Sequence, residues 1–226
     1  LPRYSNMVFE KLADASSGFS TCDLVFCGLP HGEAATKLPS LSNKVIIDLG
    51  SDFRLQDTLQ YPLWYGREHP APHELPNWTY GLTELFTDEI RRSKRIANPG
   101  CYATASILAI APLIKAKLIE PFVVINAISG TSGAGREPSA ATNFSHASED
   151  VRAYKPGLHQ HTPEIEMALT KYSGTPARIS FTPHLAPMTR GIFATCNAEL
   201  ATNSTEDDLL SCLKETYKGR RFIGVQ

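Results

Sequence analysis

No CxxC pair, no HExxH and no cysteine-rich framework occurs in these 226 residues. The five cysteines, Cys22, Cys27, Cys101, Cys196 and Cys212, are odd in number and scattered, which argues against a disulfide scaffold and fits a reducing compartment. Charge of one sign is also missing. Lys and Arg number 22 against 23 Asp and Glu, a net charge of -1, so nothing favours electrostatic capture of nucleic acid or an anionic membrane. No run approaches the roughly 18 apolar residues of a membrane span, and residues 1–10 lack the charged-then-apolar order of a secretory signal. Internal repeats and low-complexity tracts are absent as well. What remains is the composition of an ordinary soluble protein with small-molecule partners, 42% apolar and 20% charged. That is enough to bury a core in one or two domains, and the cytoplasm, or an organelle if the source is eukaryotic, is the expected setting.

Two textures divide the chain. Up to about Ala97, short apolar runs ("DLVFCGLP", "KVIIDLG", "RIANPG") alternate with polar turns, the pattern of a parallel sheet covered on both faces. Between the second and third of these lies "DFRLQDTLQYPLWYGREHPAPHELPNWTYGL", rich in Pro, His, Trp and Tyr, which reads as an irregular excursion. After Pro121 the strands lengthen. In "GIFATCNAELA", Ile192, Ala194, Cys196, Ala198 and Leu200 alternate with Phe193, Thr195, Asn197 and Glu199, a period of two that signals a sheet with two unlike faces, commonly antiparallel. A helix is expected from a Thr162 cap followed by Pro163 and Glu164. Another should follow Ser204, with Leu209, Leu210, Leu213 and Tyr217 as its buried stripe. The pattern is α/β followed by α+β.

Asn98, Pro99 and Gly100 end a strand, and Ile107, Ile110, Ala111 and Ile114 then recur at helical spacing. Cys101 therefore falls in the first turn of a helix, where unpaired N–H groups and the dipole favour an anion and would shift a thiol toward the nucleophilic thiolate. Pro112 should kink or split that helix. The alternative is a small buried thiol, the reading kept for the other four cysteines.

"YKPGLHQHTPEIE" supplies His159 and His161 two residues apart; in extended backbone both rings point to one side, and either could serve as base. At the positive end of a helix His161 would stay neutral and proton-accepting. The alternatives are that one ring caps or packs, or that the pair ligates zinc with Cys101 or His184. "SGTSGAGRE", Ser129 to Glu137, has the glycines and hydroxyls of a loop that offers backbone N–H groups to a phosphate or amide. Arg136 and Arg190 are candidates to clamp an anionic substrate.

Taken together, "LPHG", "IDLGSDFRL", "YGLTEL", "ANPGCYAT", "SGTSGAGR", "LHQHTPEIE" and "FTPHLAPMTRGI" closely resemble the N-acetyl-gamma-glutamyl-phosphate reductase family of arginine biosynthesis, and these blocks span nearly the whole chain. The resemblance implies an incomplete Rossmann-like NADP-binding domain over residues 1–100. A catalytic α+β domain, of the glyceraldehyde-3-phosphate and aspartate-semialdehyde dehydrogenase type, would follow over 101–226. It implies Cys101 as nucleophile and His161, or else His159, as acid/base. The cofactor NADP(H) would lie against Leu29, Pro30 and His31 and against Ser129, Gly130, Ser132 and Gly133. An acyl phosphate substrate would lie against Asn98, Arg136, Tyr154 and Arg190. No metal is implied, and family members are commonly homo-oligomers. The family's glycine-rich first strand, turn and helix does not occur in these residues, and the family continues beyond "RRFIGVQ", so the resemblance places this chain in the middle of the enzyme. Gly50 stands where the family carries serine. An aspartate-semialdehyde dehydrogenase-like enzyme and a non-catalytic module derived from the reductase are the alternatives.

Overall fold

A computed structural model describes residues 11, 19, 21–41, 43–135, 143–201 and 203–226. Two four-stranded sheets organise them. The first joins β1 (Leu24–Cys27), β2 (Val45–Asp48), β3 (Thr79–Tyr80) and β4 (Arg95–Ala97) in the order β1-β2-β4-β3, with every pairing parallel. The second joins β5 (Ile119–Gly130), β6 (Arg152–Ala153), β7 (Arg178–Ala186) and β8 (Ile192–Leu200) in the order β6-β7-β5-β8. This second sheet is mixed. β8 runs antiparallel to β5, as its period of two suggests, but β7 runs parallel to β5, since the His161–Ser173 helix supplies the crossover before it.

The expectation of two covered faces is corrected at β1: Val25 and Cys27 are buried while Leu24 and Phe26 are 44% and 64% exposed. The aromatic excursion after β2 is also no loose loop. It holds a helix at Gln60–Tyr65 and a 3₁₀ turn at Pro72–Asn77, and it packs Phe53, Leu55, Tyr61, Leu75 and Trp78 into the core of the first sheet. The Phe53 and Trp78 rings stack with centroids 3.9 Å apart. Burying these rings outweighs the low regularity of the backbone that carries them.

Helix Cys101–Lys115 packs against β5 and β8 of the second sheet and against helix His161–Ser173, and buries Tyr102, Ala103, Ile107, Ile110, Ala111 and Ile114. It runs through Pro112 as one helix, contrary to the expected split. Proline there lacks the N–H that would meet the carbonyl of Leu108 four residues back, and the hydroxyl of Tyr217 donates to that carbonyl instead, at 2.5 Å. The last helix, Glu206–Thr216, is capped by Thr205 rather than Ser204, in a capping box with Asp208. None of its residues is fully buried; Tyr217, just beyond it, is.

Candidate active site

β4 ends at Ala97, and Asn98, Pro99 and Gly100 turn the chain so that Cys101 is the first residue of its helix. The turn is tied down from several sides. Asn98 N–H donates to the Asp48 carbonyl at 2.8 Å, Arg54 Nε donates to the Asn98 carbonyl at 2.8 Å, and Gly100 N–H donates to Glu164 Oε1 at 2.7 Å. Gly100 must be glycine because a Cβ built on it would overlap the imidazole of His161. Thus the ring of His161 rests directly on the residue before the cysteine.

His161 opens helix His161–Ser173, whose N-cap is Gln160; Thr162, the expected cap, lies inside the helix with its hydroxyl buried and unpartnered. His159 does the capping. Its Nδ1 accepts from the His161 N–H at 3.1 Å and its carbonyl accepts from the Thr162 N–H at 2.9 Å, so the proton of the neutral ring sits on Nε2. The two imidazoles meet edge to face at 4.6 Å, so they are neighbours although the backbone between them turns rather than extends. Burial first, then the His161 and Lys155 charges, pushes His159 down to about 3. Burial also lowers His161; Glu164 opposes the shift and Arg54 adds to it. His161 Nδ1 is buried with no partner, and Nε2 stands 3.9 Å from Glu164 Oε2. A neutral imidazole with a free nitrogen can take a proton.

The thiol departs from expectation. Cys101 opens to the cleft, but enclosure of its sulfur raises its pKa; the N–H groups of Tyr102 and Cys101 and the Arg54 guanidinium pull the other way, and Glu164 adds to the rise. Burial therefore outweighs the helix start in the free protein. A thiolate here has to be made by proton transfer to a base.

Glu164 and Arg54 are the residues that sequence reasoning passed over. Glu164, fully buried, accepts from Tyr80 Oη at 2.8 Å and from Gly100 N–H, and Arg54 Nη1 lies 3.5 Å from its Oε2. Arg54 comes from the loop after β2 and Glu164 from the helix after the histidines, so one ion pair couples the parallel sheet to the residues around Cys101. The cost of enclosing both charges is offset by their mutual attraction and by the carbonyls of Asn98 and Leu49 on the guanidinium. The signal available was Arg54 in "DFRL", six residues past the end of an apolar strand.

A polar cleft of about 360 Å³ is lined by Asn98, Cys101, Ser129, Gly133, Tyr154, His159 and His161 together with Arg54. These expected residues are brought together. Gly130 and Ser132 sit in the same loop, which docks on the corner before β8: Thr131 and Ser132 N–H donate to the Met188 and Thr189 carbonyls, and a Cβ on Gly130 would strike the backbone of Arg190. The Arg190 side chain is exposed and does not line the cleft. Arg136 lies outside the described residues. Leu29 borders a separate, mostly apolar cleft of about 710 Å³ along β1, with Val25, Cys27, Gly28 and Leu38. His31 stacks on Tyr65 at 4.3 Å and pairs with buried Asp52. Burial alone would raise Asp52, but His31 and the N–H groups of Gly32 and Ala35 together hold it below the usual carboxylate range.

Both clefts open at the carboxyl ends of parallel strands, where α/β sheets take ligands. A Cβ on Gly50 would touch the Asp48 carboxylate and the Leu29 carbonyl, whereas nothing fills the space beside Gly28. That open apolar floor fits a planar ring of a dinucleotide. Among the described residues no three His, Cys, Asp or Glu side chains converge as metal ligands, and no helix is long and apolar enough to cross a membrane.

The semialdehyde dehydrogenase NAD-binding domain model matches residues 1–93, and the semialdehyde dehydrogenase dimerisation domain model matches 101–226. Proteins named N-acetyl-gamma-glutamyl-phosphate reductase from Desulforamulus reducens and Symbiobacterium thermophilum are each 44% identical over 209 residues, 91% of this chain and 60% of theirs. A rice protein named as a probable chloroplastic form of that reductase is 44% identical over 220 residues, 96% of this chain and 52% of its own. The chain thus spans about 60% of the length of the bacterial relatives. Aspartate semialdehyde dehydrogenase II from Vibrio cholerae shares the fold at TM-score 0.64 and 15% identity, covering 87% of this chain and 61% of that one. The Francisella tularensis enzyme does so at TM-score 0.63 and 14% identity, covering 88% and 64%. With both domain models matched in order, and a cysteine at a helix start facing a buried histidine where the second begins, the chain belongs to the semialdehyde dehydrogenase family.

Proposed function

We propose that the chain carries the chemistry of an NADPH-dependent N-acetyl-gamma-glutamyl-phosphate reductase. The reaction is reduction of N-acetyl-L-glutamyl 5-phosphate to N-acetyl-L-glutamate 5-semialdehyde and phosphate, a step of arginine biosynthesis. The observation that supports it most is the seating of the His161 ring on Gly100, which places a neutral imidazole beside the Cys101 turn in one polar cleft. Residues 1–100 would serve the cofactor and 101–226 the chemistry.

In the first half, His161 takes the Cys101 proton and the thiolate attacks the acyl carbon. The C–O bond to phosphate breaks with its electron pair, phosphate leaves with the proton that His161 held, and a thioester remains. A reduced nicotinamide, when bound, supplies the hydride that converts the thioester carbonyl to a thiohemiacetal oxyanion. The N–H groups at the start of the Cys101 helix stabilise that oxyanion. As it collapses, the C–S bond breaks toward sulfur, the aldehyde leaves, and the thiolate takes a proton from solvent to return to the resting thiol. His159 holds the His161 backbone in place and moves no proton.

Leu29, Pro30 and His31, with Ser129, Gly130, Ser132 and Gly133, would hold the cofactor, and Asn98, Tyr154 and Arg136 the substrate. The name of the dimerisation domain model supports a homo-oligomer, and the rice relative's name supports an organelle in plants. Cys101→Ser in the full chain is expected to lose nearly all turnover while still binding NADP; near-normal rates would overturn the nucleophile assignment. The shared fold supports an aspartate-semialdehyde dehydrogenase equally well, but the 44% identity favours the reductase. Turnover with aspartyl phosphate in place of N-acetylglutamyl phosphate would reverse that choice.

A further inference from the structure

The helix that begins with Cys101 places Tyr102 next to it, buried, with its ring edge-on to both His159 and His161. Tyr102 Oη donates to the carbonyl of His184 at 3.0 Å. A carbonyl can only accept, so the single hydroxyl proton of Tyr102 is committed there. Tyr154 Oη lies 3.1 Å from Tyr102 Oη and must therefore be the donor in that contact. Its own proton is spent too. The backbone holds the arrangement, because Tyr154 N–H donates to the Pro183 carbonyl and β6 pairs with β7 at Ala153 and His184. Burial, then the contact with Tyr102, raises Tyr154 above the ordinary tyrosine range, and burial raises Tyr102, so both hydroxyls keep their protons near neutral pH.

The result is a phenol at the cleft wall whose proton is given to Tyr102 rather than to an occupant of the cleft. Among the described residues no protein group donates to Tyr154 Oη, and its lone pairs remain for whatever occupies the cleft. Resting on the reductase reading, the choice of partner becomes narrow. An N-acylated acyl phosphate carries a carboxylate, a phosphoryl group and two carbonyls, all acceptors, and one donor, the amide N–H. We propose that Tyr154, oriented by Tyr102, is a specificity residue that accepts the substrate's amide N–H, and so selects an N-acylated amino acid over isosteres that lack the hydrogen. An ester oxygen in place of N–H would set lone pair against lone pair, the mismatch that sites built for a hydrogen bond reject.

The test is binding of stable ligands to the full chain by isothermal calorimetry, with N-acetyl-L-glutamate compared against 2-acetoxyglutarate, its ester isostere. The wild-type chain should prefer the amide by about 5- to 10-fold, the range of one neutral hydrogen bond, and Tyr154→Phe should bind the two equally. Tyr102→Phe releases the Tyr154 proton to turn toward the cleft and should raise affinity for the ester, a gain that a merely structural role would not produce. An ester that binds the wild type as well as the amide, an amide preference that survives Tyr154→Phe, or a Tyr102→Phe variant with no gain for the ester overturns the inference. No binding of N-acetyl-L-glutamate at all overturns the reductase reading beneath it.

Discussion

The imidazole of His161 and the Cα of Gly100 are in van der Waals contact, so that a single methyl group placed on Gly100 would occupy the volume of the ring. This contact, more than any hydrogen bond to the ring, sets where the base stands relative to Cys101. Gly100→Ala is expected to push His161 off its seat while the Glu164 contact and the helix persist. Displacing a catalytic group by about 1 Å costs about 100-fold. Steady-state kinetics should show kcat/KM reduced by at least that factor with an unchanged far-ultraviolet circular dichroism spectrum. Retained activity would place the base elsewhere.

The two histidines also set a pH dependence of stability. In the folded protein His159 is held down to about 3 and His161 is lowered as well, both chiefly by burial, whereas in the unfolded chain each titrates near 6.5. Below about pH 6.5 the unfolded state binds protons that the folded state refuses, so stability is full above that pH and falls as pH drops toward 3. Each histidine contributes a slope of up to about 1.4 kcal/mol per pH unit. Urea unfolding at pH 7.5, 5.5 and 4.5 should show this loss, and His159→Gln, which can still accept from the His161 N–H, should flatten it. An equal slope in the variant would contradict the buried-neutral assignment.

Far from the site, Tyr217 offers a separate check of the packing. Tyr217→Phe removes the donor to the Leu108 carbonyl that Pro112 leaves unpaired. An unsatisfied buried carbonyl costs about 1–3 kcal/mol. Chemical denaturation should register a loss in that range, and Pro112→Ala in the Tyr217→Phe background should recover part of it by restoring the helical N–H. A neutral Tyr217→Phe would show that water serves the carbonyl instead.

Much of this was legible in the residues because it depended on short-range rules. "RIANPGC" ends a strand and starts a helix in one turn, and the alternation from Ile192 to Leu200 emerged as a sheet edge. Three features were not. The thiol's raised pKa comes from enclosure by residues distant in sequence, which no local cap rule contains. The Arg54–Glu164 pair joins positions 110 residues apart, so neither spacing nor periodicity points to it. The role of His159 as cap depends on a turn between 155 and 160, where the paired spacing alone suggested an extended segment. In the same way Pro112 breaks a helix by local rules, and only the folded position of Tyr217 removes the penalty.

Exposure of the wild-type chain to N-acetylglutamyl 5-phosphate without any reductant isolates the first half-reaction, with acid quench and intact and peptide mass spectrometry as the readout. One N-acetylglutamyl group should appear on the peptide that contains Cys101, labile to hydroxylamine as a thioester is, and released as the semialdehyde when NADPH is added before the quench. A full complement of NADPH-dependent turnover with no acyl group on Cys101, or an acyl group on another residue, would contradict covalent catalysis by this cysteine.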